Sequence, residues 1–385
     1  MHWLSPFSSG RTWRPAPLLF IPLLCAVLTA CAGRPSLPEK MRYSPTGPAV
    51  TLNESPEFFV ANLKPGNQDL QSWRDLAPSV DKSLRYVKSK PQGKPAVSRP
   101  GLVVTWGDLS RTLTTLQKLL PRLDAEPQLF LAHFTWRQVP EHIDYSGYYE
   151  PIIKASRTKK QGYEQPIYAV PPELGGIRAK GRKFHDRRTI EDAQVLANRG
   201  LELAWAADPV DTFFLEIQGS GCLLFEDGTR TCVNYAGQNG HKYKSSGRIM
   251  REKGLLQRGD IFEQRQWFKD NPERVREILN ENPSYVFFKL GGSGPTGAMG
   301  HEVDAWRSLA TDRDFIPLGS VIAYGVNIPE ERQGSAPLRG IGFAQDVGGA
   351  IKRNRIDIFC GSGHRANYTA SFLDARGPAW LLLAK

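Results

Sequence analysis

Histidine is scarce and dispersed: there are seven in 385 residues, no two at metal-ligand spacing, and the five cysteines form no cluster. Both absences argue against a metal centre, because zinc and its relatives are held by closely spaced imidazoles and thiolates. There is no phosphate-binding loop and no internal repeat, so neither a cofactor nor a repeat architecture is expected. The apolar run at residues 18–30 is thirteen positions long, too short for an easy membrane crossing.

What the chain does have starts with that run. Arg11 and Arg14 precede it, and it ends in small residues before Cys31, a pattern similar to a bacterial lipobox. The expectation is a signal peptide over 1–30, lipidation at Cys31 and a tether over 31–48; a short membrane anchor with an incidental cysteine is the competing reading. Either places the folded part outside the inner membrane. Ala32 stands where an inner-membrane retention signal would carry aspartate, which favours the periplasmic face of the outer membrane. The formal charge is +11, which suits an anionic polymer. Export argues against nucleic acid. Much of the basic segment 178–188 reads as a solvated loop.

The length fits two ordinary domains, and 40% hydrophobic with 10% aromatic content is globular composition. Leu70, Trp73, Leu76, Val80, Leu84 and Val87 recur at helical spacing, with Pro78 expected to bend the helix. Residues 88–100 read as a linker. Thr105 and Asp108 form a capping box for a helix carrying Leu109, Leu113, Leu116 and Leu120. From Tyr145 the pattern changes to strands. Residues 213–217 read as a strand, with Gln218, Gly219, Ser220 and Gly221 as a polar loop at its end. Gly228 closes a hairpin that sets Cys222 opposite Cys232, a pair able to form a disulfide in an oxidising compartment. Cys360 is left as a buried free thiol. Residues 248–282 look helical and 282–288 extended.

The stretch around which the chain is organised is 342–363. Two strand-like runs each present an acid, Asp346 and Asp357, on either side of Gly348 and Gly349, with Lys352, Arg353 and Arg355 alongside. With Asp312 before Ile316, Pro317 and Gly319, this pattern resembles the 3D domain, named for three aspartates, of the membrane-bound lytic murein transglycosylase A family. Residues 145–151, 201–221 and 234–250 are similar to further stretches of the family. Arg353 departs from the pattern, which has glycine there.

The resemblance implies a mainly β fold with flanking helices. It comprises a double-psi β-barrel domain from 49–145 and 289–385, and a smaller β-barrel inserted over 146–288, with a glycan cleft between them. It implies a lytic transglycosylase, a lyase that breaks the bond between N-acetylmuramic acid and N-acetylglucosamine without water and leaves a 1,6-anhydro end. Asp357 would be acid and then base, Asp346 its partner and Asp312 structural. Tyr148, Tyr149, Gln218, Gly219, Ser220 and Lys352 are the candidate substrate contacts; as neighbours on a strand, one of the two tyrosines should face the core. Two other readings stay open: a glycan hydrolase using Asp346 as base with Asp357 as acid, and a murein-binding lipoprotein without catalysis. A monomer is expected, touching the membrane through its lipid only and available to a cell-wall complex.

Overall fold

Pro78, expected to bend the first helix, begins it instead. The structure, a computed structural model, describes residues 46–139, 142–292 and 294–385, all within one compact unit. The export segment, Cys31 and the tether up to residue 45 lie outside the described residues. Leu70 to Val87 run through one short turn, Trp73–Leu76, into the helix Ala77–Lys88, with Pro78 in its first turn. A proline there gives up only an N–H that has no partner within the helix.

Thr105 caps the helix Trp106–Leu119: its Oγ1 accepts from Asp108 N at 3.1 Å, and Asp108 Oδ2 accepts from Thr105 N at 2.9 Å. Leu84, Val87, Leu109, Leu113 and Leu116 of the two helices enter the main core. The segment read as a linker is partly a hairpin, Pro95–Arg99 paired with Leu102–Thr105 through Gly101. Its strands are short and only partly buried, which left little alternation to read.

Two mixed sheets carry the fold. The larger has eight strands, in the order Ala375–Gly377, Ile143–Glu150, Arg355–Ser362, Ser308–Ala310, Gly334–Asp346, Val321–Glu330, Ala379–Ala384 and Phe134–Gln138. The smaller has six, in the order Val286–Leu290, Arg230–Gln238, Ser220–Phe225, Ile152–Ser156, Glu202–Ala206 and Gln165–Tyr168. The chain leaves the large sheet at Glu150, turns at Pro151 and enters the small one at Ile152. It returns after Leu290 through a glycine-rich loop. Each sheet has its own buried cluster, around Ile322, Leu338 and Ile358 in one and Leu215, Leu223 and Val233 in the other.

Two expectations about the inserted segment fare differently. Residues 213–217 lie in the helix Pro209–Gln218, not in a strand: Asp208 caps its start, Pro209 opens it and Gly219, at φ 75°, ends it. Val210, Phe213, Phe214 and Leu215 are all buried, so the helix is apolar on more than one side and shows no clean stripe. The hairpin over 222–232 forms as read, with Cys222 opposite Cys232 and Gly228 at φ 78°. Its two cysteines are joined as a disulfide. Residues 248–282 resolve into three helices, Ser246–Glu252, Ile261–Asp270 and Val275–Leu279.

Candidate active site

The short strand Ser308–Ala310 brings the aspartates together. Ala310 is in register with Asp346 on one side, in a parallel pairing, and with Asp357 on the other, in an antiparallel one. Two residues further on, Asp312 lies at the start of the next turn. Asp346 and Asp357, 11 positions apart in sequence, thus flank one interior strand of the sheet.

The parallel pairing of Arg355–Ser362 with Ile143–Glu150 adds the floor. Asp357 is opposite Ser146 and Phe359 opposite Tyr148. Side chains alternate along a strand, so Ser146, Tyr148 and Glu150 share one face with Arg355 and Asp357. The Tyr148 ring packs against Phe359 with centroids 5.1 Å apart, and its hydroxyl donates to Asp346 Oδ2 at 3.0 Å. For Tyr148 to reach Asp346 over two intervening strands the sheet must be strongly curled here.

The two acids are held differently. Asp346 accepts three hydrogen bonds: from Tyr148, from Ala298 N at 3.0 Å and from Val347 N at 2.9 Å. Burial raises its pKa above the ordinary value, and these three donors oppose the rise. Asp357 has far less support. Burial pushes it up to about 6; a Ser146 hydrogen bond and the Arg355 charge pull it down, and the Asp346 charge pushes it up further. The residue keeps some exposed surface, yet its Oδ1 is sealed from solvent without a hydrogen-bond partner. An unpartnered carboxyl oxygen in a dry place favours the protonated acid at mildly acidic pH.

Asp312 is of another kind. Its Oδ2 accepts from Arg353 N at 2.9 Å and its Oδ1 from Asp314 N at 3.2 Å, and the first of these bonds leads the causes that lower its pKa. It ties two turns together. Arg353, where the resemblance leads one to expect glycine, has φ 55°, so an arginine occupies a left-handed position that glycine adopts without cost.

Two family models match the chain: the MltA specific insert domain over residues 144–289 and the 3D domain over residues 307–383. The chain is 33% identical over 249 residues to the membrane-bound lytic murein transglycosylase A of Escherichia coli K12, which is 63% of this chain and 66% of that protein, just under two thirds of its length. Among solved structures it is similar to the membrane-bound lytic murein transglycosylase of Agrobacterium tumefaciens, at 29% identity and a TM-score of 0.68, covering 81% of this chain and 92% of the other. It is also similar to Escherichia coli MltA with bound chitohexaose, at 27% identity and a TM-score of 0.64, covering 80% and 89%. The chain belongs to the membrane-bound lytic murein transglycosylase A family.

Within that family frame, the residues singled out from sequence fall into two groups. Asp346, Asp357 and Tyr148 gather at one place. Tyr149 is on the opposite face of its strand, buried, with the charges of Arg265 and Asp211 nearby. Gln218 accepts from Tyr149 N at 3.1 Å, and both line a separate pocket of about 160 Å³ with Tyr243, Ser245, Gln264 and Ser371. Gly219 ends a helix and Ser220 begins the next strand, buried beside Asn234. Lys352 is exposed in the loop joining the two acid-bearing strands, near Asp312.

Sequence reasoning missed three contributors. Ser146 and Glu150 could have been found from alternation with Tyr148. Glu150 Oε1 lies 3.2 Å from Cys222 Sγ, and burial, with the Glu302 carboxylate nearby, pushes its pKa up to about 7 against the pull of Arg230. The third is the Ala298 amide, which glycine at 297 makes available. A Cβ at Gly297 would lie 2.7 Å from Gln345 O, so a larger residue would push the loop off Asp346. The signal was the glycine-rich segment 291–300, which has no apolar period. Among the described residues, the group placed to hold a metal ion is Glu150 with Cys222 and Cys232, and there the thiols are joined as a disulfide. No described helix is long and apolar enough to cross a membrane.

Proposed function

We infer that this chain is a lytic murein transglycosylase, a lyase that cleaves the bond between N-acetylmuramic acid and N-acetylglucosamine in peptidoglycan. The observation that carries the reading is the Asp357 carboxyl: mostly buried, with an unpartnered Oδ1 and a pKa near 6, beside a second acid held by three donors. A hydrolase acting with inversion needs a water between two carboxylates; a reaction that expels water needs one proton carrier and a charge stabiliser.

The steps balance on that pair. Protonated Asp357 gives its proton to the glycosidic oxygen as the bond to C1 breaks. The positive charge that develops at C1 is stabilised by the Asp346 carboxylate, which hydrogen bonds from Tyr148 and the Ala298 and Val347 amides hold in place and bias toward its charged form. The C6 hydroxyl of the same muramyl sugar attacks C1, and Asp357, now a carboxylate, takes its proton. The products are a 1,6-anhydro muramyl end and a free N-acetylglucosamine end, with Asp357 restored. The chitohexaose bound to the similar Escherichia coli protein supports a glycan strand as ligand.

The same reading places Asp312 as a structural acid and Lys352 as a rim cation for the strand. Tyr149, Gln218, Gly219 and Ser220 shape the junction between the two sheets, and through it the cleft. The domain plan is a double-psi barrel from 49–145 and 289–385 with a smaller barrel inserted at 146–288, supported by the return of the chain to the large sheet after Leu290. Lipidation of Cys31 would hold the protein at the periplasmic face of the outer membrane as a monomer, within reach of a cell-wall remodelling complex. Mass spectrometry of sacculi digested by the wild type and by Asp357→Asn tests the activity: the wild type leaves anhydro ends and the variant none.

A further inference from the structure

Arg355 is two residues from Asp357 on the same strand, so its side chain emerges on the same face about 7 Å away along the floor. Its Nε donates to Ser146 Oγ at 3.2 Å, which fixes the guanidinium beside the residue that stands opposite Asp357 on the neighbouring strand. Among the described residues no carboxylate pairs with it. The nearest acid on the neighbouring strand, Asp144, is taken by Arg376 Nε at 3.1 Å. Lys352 and Arg353, also exposed, make this end of the face basic.

We propose that Arg355 is a carboxylate clamp that selects muramyl residues with a free lactyl group, so that the enzyme favours glycan strands stripped of their peptides. The inference rests on the transglycosylase reading of Asp357. The lactyl ether is at C3, two ring carbons from the C1 that reacts, so a guanidinium one strand step from the acid is suitably placed for it. On a strand that carries peptides the lactyl carbonyl is an amide, neutral and unable to form an ion pair. On a denuded strand it is a carboxylate, which a planar guanidinium binds through two parallel N–H donors.

The clamp also bears on the chemistry. Asp357 faces Arg355 on its own strand, Ser146 and Tyr148 on one neighbour and Asp346 beyond the other; the buried Cys360 thiol, packed against Gly147 on the opposite face of the sheet, is within reach of its charge. Arg355 is the positive charge among them and works against protonation of the acid. A substrate carboxylate bound to it cancels that charge, so the favoured strand brings Asp357 back towards the protonated form it needs.

The test uses denuded glycan strands and the same strands with their lactyl carboxylates converted to methylamides, each scored for the rate of 1,6-anhydro end formation. The wild type should favour the free carboxylate by about tenfold or more in kcat/KM, the size expected of a charge-assisted pair. Arg355→Gln should bring that ratio close to one, and Arg355→Lys should give a value between. Equal cleavage of both strands by the wild type would overturn the clamp and leave the transglycosylase reading standing. So would an Arg355→Gln variant that slows both strands alike, because the arginine would then act only through Ser146. Absence of anhydro ends from both strands would instead remove the transglycosylase reading, and the clamp with it.

Discussion

Tyr148 donates to Asp346 at 3.0 Å while its ring leans on Phe359, so one side chain both orients the stabilising acid and floors the site. Tyr148→Phe keeps the ring and removes the donor. It should lower kcat about tenfold with little change in murein binding, since a hydrogen bond to a charged group is worth roughly 1.5–3 kcal/mol. Steady-state rates with strand-binding measurements on the variant check this; loss of binding with unchanged kcat would contradict it.

The pH profile follows from the direction of the Asp357 shift. As a general acid it must be protonated, so kcat/KM should fall as pH rises through about 6. Removing the positive charge in Arg355→Gln should move that alkaline limb to higher pH. On the acid side, activity should fall as Asp346 loses its charge. Initial rates from pH 4 to 8 on a single glycan preparation show both limbs.

The same carboxyl affects stability with the sign opposite to the usual aspartate. Its folded value, about 6, is above the ordinary 3.8, so the native form binds a proton more tightly than the unfolded chain does. The cost is absent below pH 3.8, grows through the window from 3.8 to 6 and is full above it. Asp357→Asn should therefore be more stable than the wild type at pH 8, by up to about 3 kcal/mol, and nearly equal to it at pH 3.5. Denaturant midpoints at the two pH values measure the difference.

Gly297→Ala tests the loop that carries the Ala298 amide. The added Cβ would meet Gln345 O at 2.7 Å, backbone that cannot step aside cheaply. Activity should drop at least tenfold while the thermal midpoint shifts by only a few degrees, because the loop is at the rim. Enzyme assay and calorimetry on one preparation separate the two effects.

At the Asp312 turn, Arg353→Gly should keep activity and change stability by no more than about 1 kcal/mol, since relief of the left-handed arginine is offset by the greater freedom of glycine when unfolded. Asp312→Ala should cost about 1–2 kcal/mol, because two backbone N–H groups lose their acceptor. Chemical denaturation of both variants gives the comparison.

The most legible parts in the sequence were those with local causes. Thr105 and Asp108 announced their helix because both halves of the cap lie within four residues, and Gly228 announced its hairpin for the same reason. The acids at 346 and 357 could be read through the glycine turn between them. Their meeting across Ala310 could not, since a three-residue strand leaves no periodic trace. The helix Pro209–Gln218 was misread because burial on several sides erased its stripe, although Asp208, Pro209 and Gly219 marked both ends. Of the paired tyrosines, alternation required that one face inward; that Tyr148 and not Tyr149 shares a face with Asp357 depends on the register with a strand 211 residues away.

The most direct measurement is the mass of the new glycan ends released from purified sacculi by the wild type. The account predicts muramyl ends lighter than hydrolytic ends by one water, formed at the wild-type rate and absent with Asp357→Asn. Reducing muramyl ends that take up ¹⁸O from labelled water would contradict it, because water and not the C6 hydroxyl would then have attacked C1.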